Sequence, residues 1–137
     1  MNKTALTFTF VLAAAVGFSA PAHAMSPSES YLAYRTALAG AETMDDLKSH
    51  LDSAKFSEIQ TLSAEDQKKD LEIMKLFIID ITTQLEIVSE TIDGDTATLE
   101  TKYCSEGNKA TSKVDLVLQE GNWKLLDEKS HSGLEKC

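Results

Sequence analysis

Cysteine, arginine and basic charge are all scarce in this chain, and each scarcity closes off a kind of chemistry. Only two cysteines occur among 137 residues, Cys104 in "TKYCSEGN" and Cys137 in "SHSGLEKC". They form no C-x-x-C and no histidine stands near Cys104, so neither a dithiol redox centre nor a thiolate metal site has its spacing. Arg35 is the sole arginine, and 13 basic residues face 22 acidic ones for a net charge of −9. Neutralising phosphate takes clustered Lys and Arg, so the composition argues against nucleic acid and against anionic lipid. An acidic surface serves solubility as readily as it serves a basic partner. There is no G-x-S-x-G, no P-loop, no dinucleotide fingerprint and no paired histidine ligands. "IDGDTATLE" opens like a calcium loop, but only its first two ligands match and a hairpin accounts for the glycine. No metal and no cofactor is expected.

Long apolar runs are equally scarce: one exists, in "MNKTALTFTFVLAAAVGFSAPAHA". Lys3 gives a positive head, Ala5 to Phe18 a mostly apolar run, and Ala22-His23-Ala24 the small residues that a signal peptidase reads. The run is shorter than the roughly 20 residues a bilayer span needs. Residues 1–24 therefore read as a signal peptide cleaved after Ala24, leaving a mature chain from Met25 that is one unit more acidic. No cysteine stands at the cleavage point, so a lipoprotein anchor is not expected. The localisation expected is periplasmic or secreted, with no membrane anchor after cleavage. The remainder has the size of one domain.

Helical signals come first and strand signals follow. Ser26, Pro27 and Glu29 make an N-cap, a first-turn proline and a capping box, and Gly40 stops that helix. Leu32, Arg35 and Ala39, beside Tyr31, Tyr34 and Leu38, give it a mixed face. A second helix is predicted from Thr43, with Asp46 as box partner and Met44, Leu47 and Leu51 turned inward. "KFSEIQTL" reads as a short helical turn anchored by Phe56 and Ile59. Ser63 and Asp66 cap a third helix whose stripe is Leu71, Met74, Phe77 and Ile78. Its end is open, because the β-branched run to Ile81 could already be turning into strand.

From Thr83 the period becomes two. "TQLEIVSETI" sets Leu85 and Ile87 against Glu86 and Glu90, then meets Asp93-Gly94, a tight-hairpin signal in which both turn residues take positive φ. "DTATLETKYC" follows with Ala97, Leu99, Thr101 and Tyr103 on one face. A looser turn, "SEGNKA", leads to "SKVDLVLQ", and Glu120-Gly121-Asn122 turns the chain into "WKLLDEK". Four strands joined by short turns form an antiparallel meander. The fold class is α+β, with N-terminal helices packed on one face of a four-stranded sheet.

Three of these pieces carry a family resemblance: the capped "SAEDQKKDLEIMKLF" helix, the "VSETIDGDTATLE" hairpin and the closing "GNWKLLDE" strand. Together, over about residues 28–130, the chain resembles a branch of the nuclear transport factor 2-like (cystatin-like) superfamily. That branch contains small exported bacterial domains of unknown function, often lipoproteins. The resemblance implies helices on a strongly curved sheet, a cone whose open end holds a small ligand. It puts the domain at residues 25–128 and leaves 129–137 as a C-terminal tail. The function it implies is binding of a small apolar ligand or a protein partner. The alternatives are an isomerase- or dehydratase-type enzyme working in the cone, and an inhibitor or immunity-type protein. Unlike many relatives, this chain lacks an anchoring cysteine, so membrane tethering is not carried over.

The candidate site residues follow. In an exported chain an even cysteine count reads as a structural disulfide, Cys104–Cys137, against a free or intermolecular thiol. With Tyr103 facing the helices, Cys104 faces away, and the tail returns to the outer face or an edge of the sheet. Tyr34, Met74, Phe77, Tyr103 and Trp123 either line a pocket or fill the core, with Arg35 pairing a carboxylate at the rim or snorkelling. Asp115, between Val114 and Leu116, points into the cone or lies on a solvated face. His50 and His131 have no motif around them, and no catalytic residue is assigned.

Overall fold

The computed structural model describes residues 24–81 and 85–137. The expected leader up to His23, and Thr83 and Gln84 at the expected start of the first strand, lie outside them. Among the described residues three α-helices precede four strands: α1 (Pro27–Gly40), α2 (Ser53–Gln60), α3 (Ala64–Ile81), β1 (Glu86–Asp93), β2 (Thr96–Ser105), β3 (Asn108–Gln119) and β4 (Asn122–Lys136). The strands form one antiparallel sheet in the order β1-β2-β3-β4. This is the α+β arrangement that helices followed by a meander predict. No described helix is long and apolar enough to cross a membrane.

Local chemistry sets most boundaries. The Ser26 hydroxyl accepts from the Glu29 amide at 3.1 Å while the Glu29 carboxylate accepts from the Ser26 amide at 2.7 Å, closing the capping box of α1. Its far end departs from expectation. Gly40 is helical rather than left-handed, and the chain leaves through buried Ala41 in extended conformation. The Lys75 ammonium of α3 donates to the Ala41 carbonyl, so a cation rather than a glycine cap meets that terminus. The face of α1 is also narrower than its spacing suggests. Tyr31, Tyr34, Arg35 and Leu38 are buried, whereas Leu32 and Ala39 are exposed. The expected second helix is a single 3₁₀ turn, Met44–Leu47, with the predicted Thr43–Asp46 box. It stops there because His50, Leu51 and Asp52 pair with the sheet instead: Leu125 N–H donates to the His50 carbonyl at 2.7 Å, and Asp52 N–H to the Leu125 carbonyl at 2.8 Å. Asp52 then caps α2, accepting from the Lys55 amide at 3.0 Å and the Gln119 side chain at 2.6 Å.

The hairpin signals are redistributed. In the β1–β2 turn the two-residue loop is Gly94-Asp95, and only Gly94 has positive φ, at 59°. Glycine in the first loop position with an ordinary residue after it is the II′ pattern rather than the expected I′. The I′-like turns are the other two. Glu106-Gly107 has φ of 50° and 79°, and Glu120-Gly121 of 53° and 78°. "SEGNKA" is therefore a tight turn, not a loose one, with Ser105 paired to Asn108.

The core lies between the helices and the inner face of the sheet. Tyr31, Leu38, Leu47, Leu51, Leu99, Val114 and Leu116 are its most enclosed side chains. Alternation on β2 and β3 is regular, with Ala97, Leu99, Thr101 and Tyr103 inward opposite Leu116, Val114, Ser112 and Ala110. The segment 129–137 is not a separate tail. β4 runs to Lys136 and stays paired with β3, Ser132 opposite Ala110 and Lys136 opposite Asn108. Its polar, two-sided composition hides the strand from a periodicity argument, and backbone pairing holds it regardless. Cys104 and Cys137 are disulfide-bonded with Cα atoms 6.0 Å apart, and the Cys137 amide donates to the Gly107 carbonyl at 3.0 Å. The bond thus staples the end of β4 across the β2–β3 turn to the end of β2.

Candidate functional site

A cavity of about 350 Å³ opens between α1, α3 and β4. Tyr34 and Leu38 line it from α1, and Met74, Phe77 and Ile78 from α3. Its polar lining is Arg35, Glu128 and Ser130. Phe77 is 67% exposed although it lines the cavity, so it stands at the mouth, on a stripe with exposed Ile73 and Leu76.

A chain of hydrogen bonds runs from α1 into the sheet behind this cavity. Arg35 Nη1 donates to the Tyr31 hydroxyl at 2.9 Å, and that hydroxyl donates to Glu128 Oε1 at 2.7 Å. The Ser112 hydroxyl also reaches Glu128 Oε1, at 3.3 Å, and Ser112 shares a 2.6 Å bond with Thr101. One turn of helix makes the first link, since positions i and i+4 share a face. The Arg35 guanidinium also lies 5.5 Å from the centre of the Tyr31 ring, within cation–π range.

Arg35 is 5% exposed, and its Nη2 is buried with no hydrogen-bond partner among the described residues. No carboxylate there lies within ion-pair distance of it. An unpartnered buried donor on a charged group costs about 1–3 kcal/mol or more, so the fold carries a standing penalty at this atom. Tyr31 and Tyr34 are both held well above the usual phenol range, first by burial and then by the negative charge of Glu128. Both hydroxyls therefore remain protonated at any physiological pH, and Tyr31 stays a donor to Glu128.

Glu128 faces inward because of a break in the sheet. Strand alternation from inward Leu125 would send Asp127 in and Glu128 out. The register shifts between Asp115 and Leu116, which face Asp127 and Leu125, so Leu126 is an extra residue in β4. A β-bulge of this kind reverses the faces beyond it. Glu128 then stands opposite inward Val114, and Ser130 opposite inward Ser112. Sequence reasoning missed Glu128 and Ser130 for that reason. The available signal was the Leu125-Leu126 doublet, a pair of apolar neighbours that alternation alone does not accommodate.

Of the residues proposed as pocket lining, Tyr34, Arg35, Met74 and Phe77 meet at this cavity. Tyr103 does not. It is buried with Ala110 and Leu85 in a separate small cluster, two positions beyond Thr101 toward the β2–β3 turn. Trp123 does not line it either. It pairs with Leu118 at the other end of β4 and packs half-buried against the main core. Asp115 lies on the outer face, accepting from the Thr98 hydroxyl at 3.1 Å with Lys113 at 3.7 Å. His50 is half-buried and its imidazole is held below the usual value by burial. His131 is exposed on β4. Among the described residues no cluster of His, Cys, Asp or Glu is arranged to hold a metal ion.

Fold and cavity together define a small α+β domain with one helix-covered sheet face and a half-open cleft at its side. No protein-family profile and no curated protein matches the chain. Among solved structures it is similar to a Campylobacter jejuni protein described as an NTF2-like transpeptidase, at 15% identity, covering 75% of this chain and 99% of that one, with a TM-score of 0.47.

Proposed function

We propose that this protein is an exported, nuclear transport factor 2-like binding domain that holds a small ligand in the cleft between α1, α3 and β4. The observation that carries the reading is the cavity of about 350 Å³, lined by apolar residues from two helices and polar at Arg35, Glu128 and Ser130. Its volume lies at the small end of the 300–1,000 Å³ typical of ligand sites, and such sites pair an apolar lining with a few placed polar groups. Export is supported by the leader-like residues 1–24 and by the Cys104–Cys137 bond, since disulfides persist in oxidising compartments. The superfamily reading rests on the order of elements and the hairpin words of the sequence.

Native mass spectrometry of the protein purified from its periplasm tests both parts. The expected result is a chain beginning at Met25, two hydrogens lighter than its reduced form, carrying a small-molecule adduct. A fully bare chain that also shows no thermal shift with any amphiphilic probe would sink the binding reading. A chain retaining residues 1–24 in the cytoplasm would sink export.

A further inference from the structure

We infer that the ligand's head group is zwitterionic, a carboxylate beside an ammonium on an apolar body, as in an apolar α-amino acid. The inference rests on the binding reading above and names its ligand class. Two charged groups of opposite sign line one small cavity without satisfying each other. Arg35 and Glu128 are both bonded to the Tyr31 hydroxyl, at 2.9 and 2.7 Å, yet no ion pair forms between them. Each also has capacity left over. Arg35 Nη2 has no acceptor, and Glu128 takes both of its protein bonds on Oε1, leaving Oε2 unclaimed among the described residues. Tyr31 keeps its proton and serves as a fixed spacer, so the positive and negative ends stay one hydroxyl apart. A buried charge asks for a partner of opposite sign with hydrogen bonds to match. A carboxylate alone would answer Arg35 but place a second negative charge beside Glu128. An ammonium alone would answer Glu128 but crowd Arg35. A head group bearing both answers each group and leaves the cleft's net charge unchanged.

The remaining cavity wall suits an apolar side chain. Leu38, Met74 and Ile78 give a soft aliphatic lining and Phe77 an aromatic edge at the mouth. Arg35 lines the cleft while its Nη1 stays bonded to the Tyr31 hydroxyl, so the guanidinium is the positive group that a ligand carboxylate meets there. Ser130, opposite Ser112 on β4, supplies a hydroxyl at the same polar end.

A matched trio of probes tests this by isothermal titration calorimetry on the oxidised mature protein: L-phenylalanine, 3-phenylpropanoate without the ammonium, and 2-phenylethylamine without the carboxylate. Phenylalanine should bind at least about tenfold tighter than either analogue, the worth of one charge-assisted hydrogen bond. Glu128→Gln, close to isosteric, should erase the preference over 3-phenylpropanoate while leaving the preference over 2-phenylethylamine. Equal affinity for phenylalanine and 3-phenylpropanoate would overturn the zwitterion and leave the binding reading standing. If none of the three binds while the native spectrum shows a retained adduct, the head-group inference alone fails. If none binds, no adduct is retained and no amphiphilic probe gives a thermal shift, both fail.

Discussion

Replacing Tyr31 by phenylalanine isolates the hydroxyl that joins Arg35 to Glu128, because the ring is 0% exposed and its packing is kept. The hydroxyl makes two charge-assisted bonds, accepting from Arg35 at 2.9 Å and donating to Glu128 at 2.7 Å. Bonds to charged groups contribute about 1.5–3 kcal/mol each. The lower figure applies at Glu128, which lines the cleft and can recruit water. The Arg35 side is harder to compensate. Nη2 is already without a partner among the described residues, so loss of the hydroxyl leaves Nη1 stranded as well. We expect Tyr31→Phe to cost about 3 kcal/mol, an upper share of the roughly 5–15 kcal/mol that holds a domain of this size. With a urea slope of about 1.5 kcal/mol/M, the midpoint should fall by about 2 M. The double variant Tyr31→Phe/Glu128→Gln should be less destabilised than the sum of the singles, by about 1 kcal/mol, since both remove the same bond. A loss under about 0.5 kcal/mol, or strict additivity, would refute the network as an energetic unit.

Three further outcomes are expected. Reducing the Cys104–Cys137 bond, which closes a separation of 33 residues, should lower unfolding free energy by about 3.5 kcal/mol by loop entropy, read as a drop in urea midpoint with added reductant. An unchanged midpoint would refute the loop-entropy contribution of this bond. His50 is held below its ordinary value of 6.5 by burial, so the unfolded chain binds the proton more readily. Stability present above that value should fall as pH drops through the depressed folded value, and His50→Gln should flatten that part of the profile between pH 7 and 5. Parallel profiles for the two proteins would contradict this. Glu106 and Glu120 both hold positive φ ahead of a glycine, so Glu106→Asn and Glu120→Asn should each raise stability by about 0.5–1 kcal/mol, measured by thermal unfolding. A drop in melting temperature would show that these side chains contribute something the turn geometry does not reveal.

Much of the fold was legible in the sequence because it rests on local rules. The Ser26–Glu29 box, the Thr43–Asp46 box and the Ser63–Asp66 cap each depend on residues three apart, and all three form. Alternation placed Ala97, Leu99, Thr101 and Tyr103 on one face, and short turns made neighbours of consecutive strands. What failed was non-local. The 3₁₀ turn at Met44–Leu47 stays short because His50 and Asp52 bond to Leu125 of β4, distant in the chain but adjacent in space. The stretch after Glu128 has no periodic pattern, yet it is strand because β3 offers it a row of backbone partners.

The cleft divides along the same line. Tyr34, Arg35, Met74 and Phe77 could be nominated from helical spacing, since residues on one helix face approach one surface whatever that surface is. Spacing could not tell that Tyr103 and Trp123, on the same inner face of the sheet, belong to other places along it. By itself the sequence determined an α+β chain with capped helices, a meander, an apolar face on each element and a single arginine among them. Tertiary structure alone decided that one extra residue at Leu126 turns Glu128 inward, toward Tyr31 and the arginine beside it. The physical reason is that the face a strand residue occupies is set by its register with a partner strand, and register is a relation between distant segments rather than a property of either.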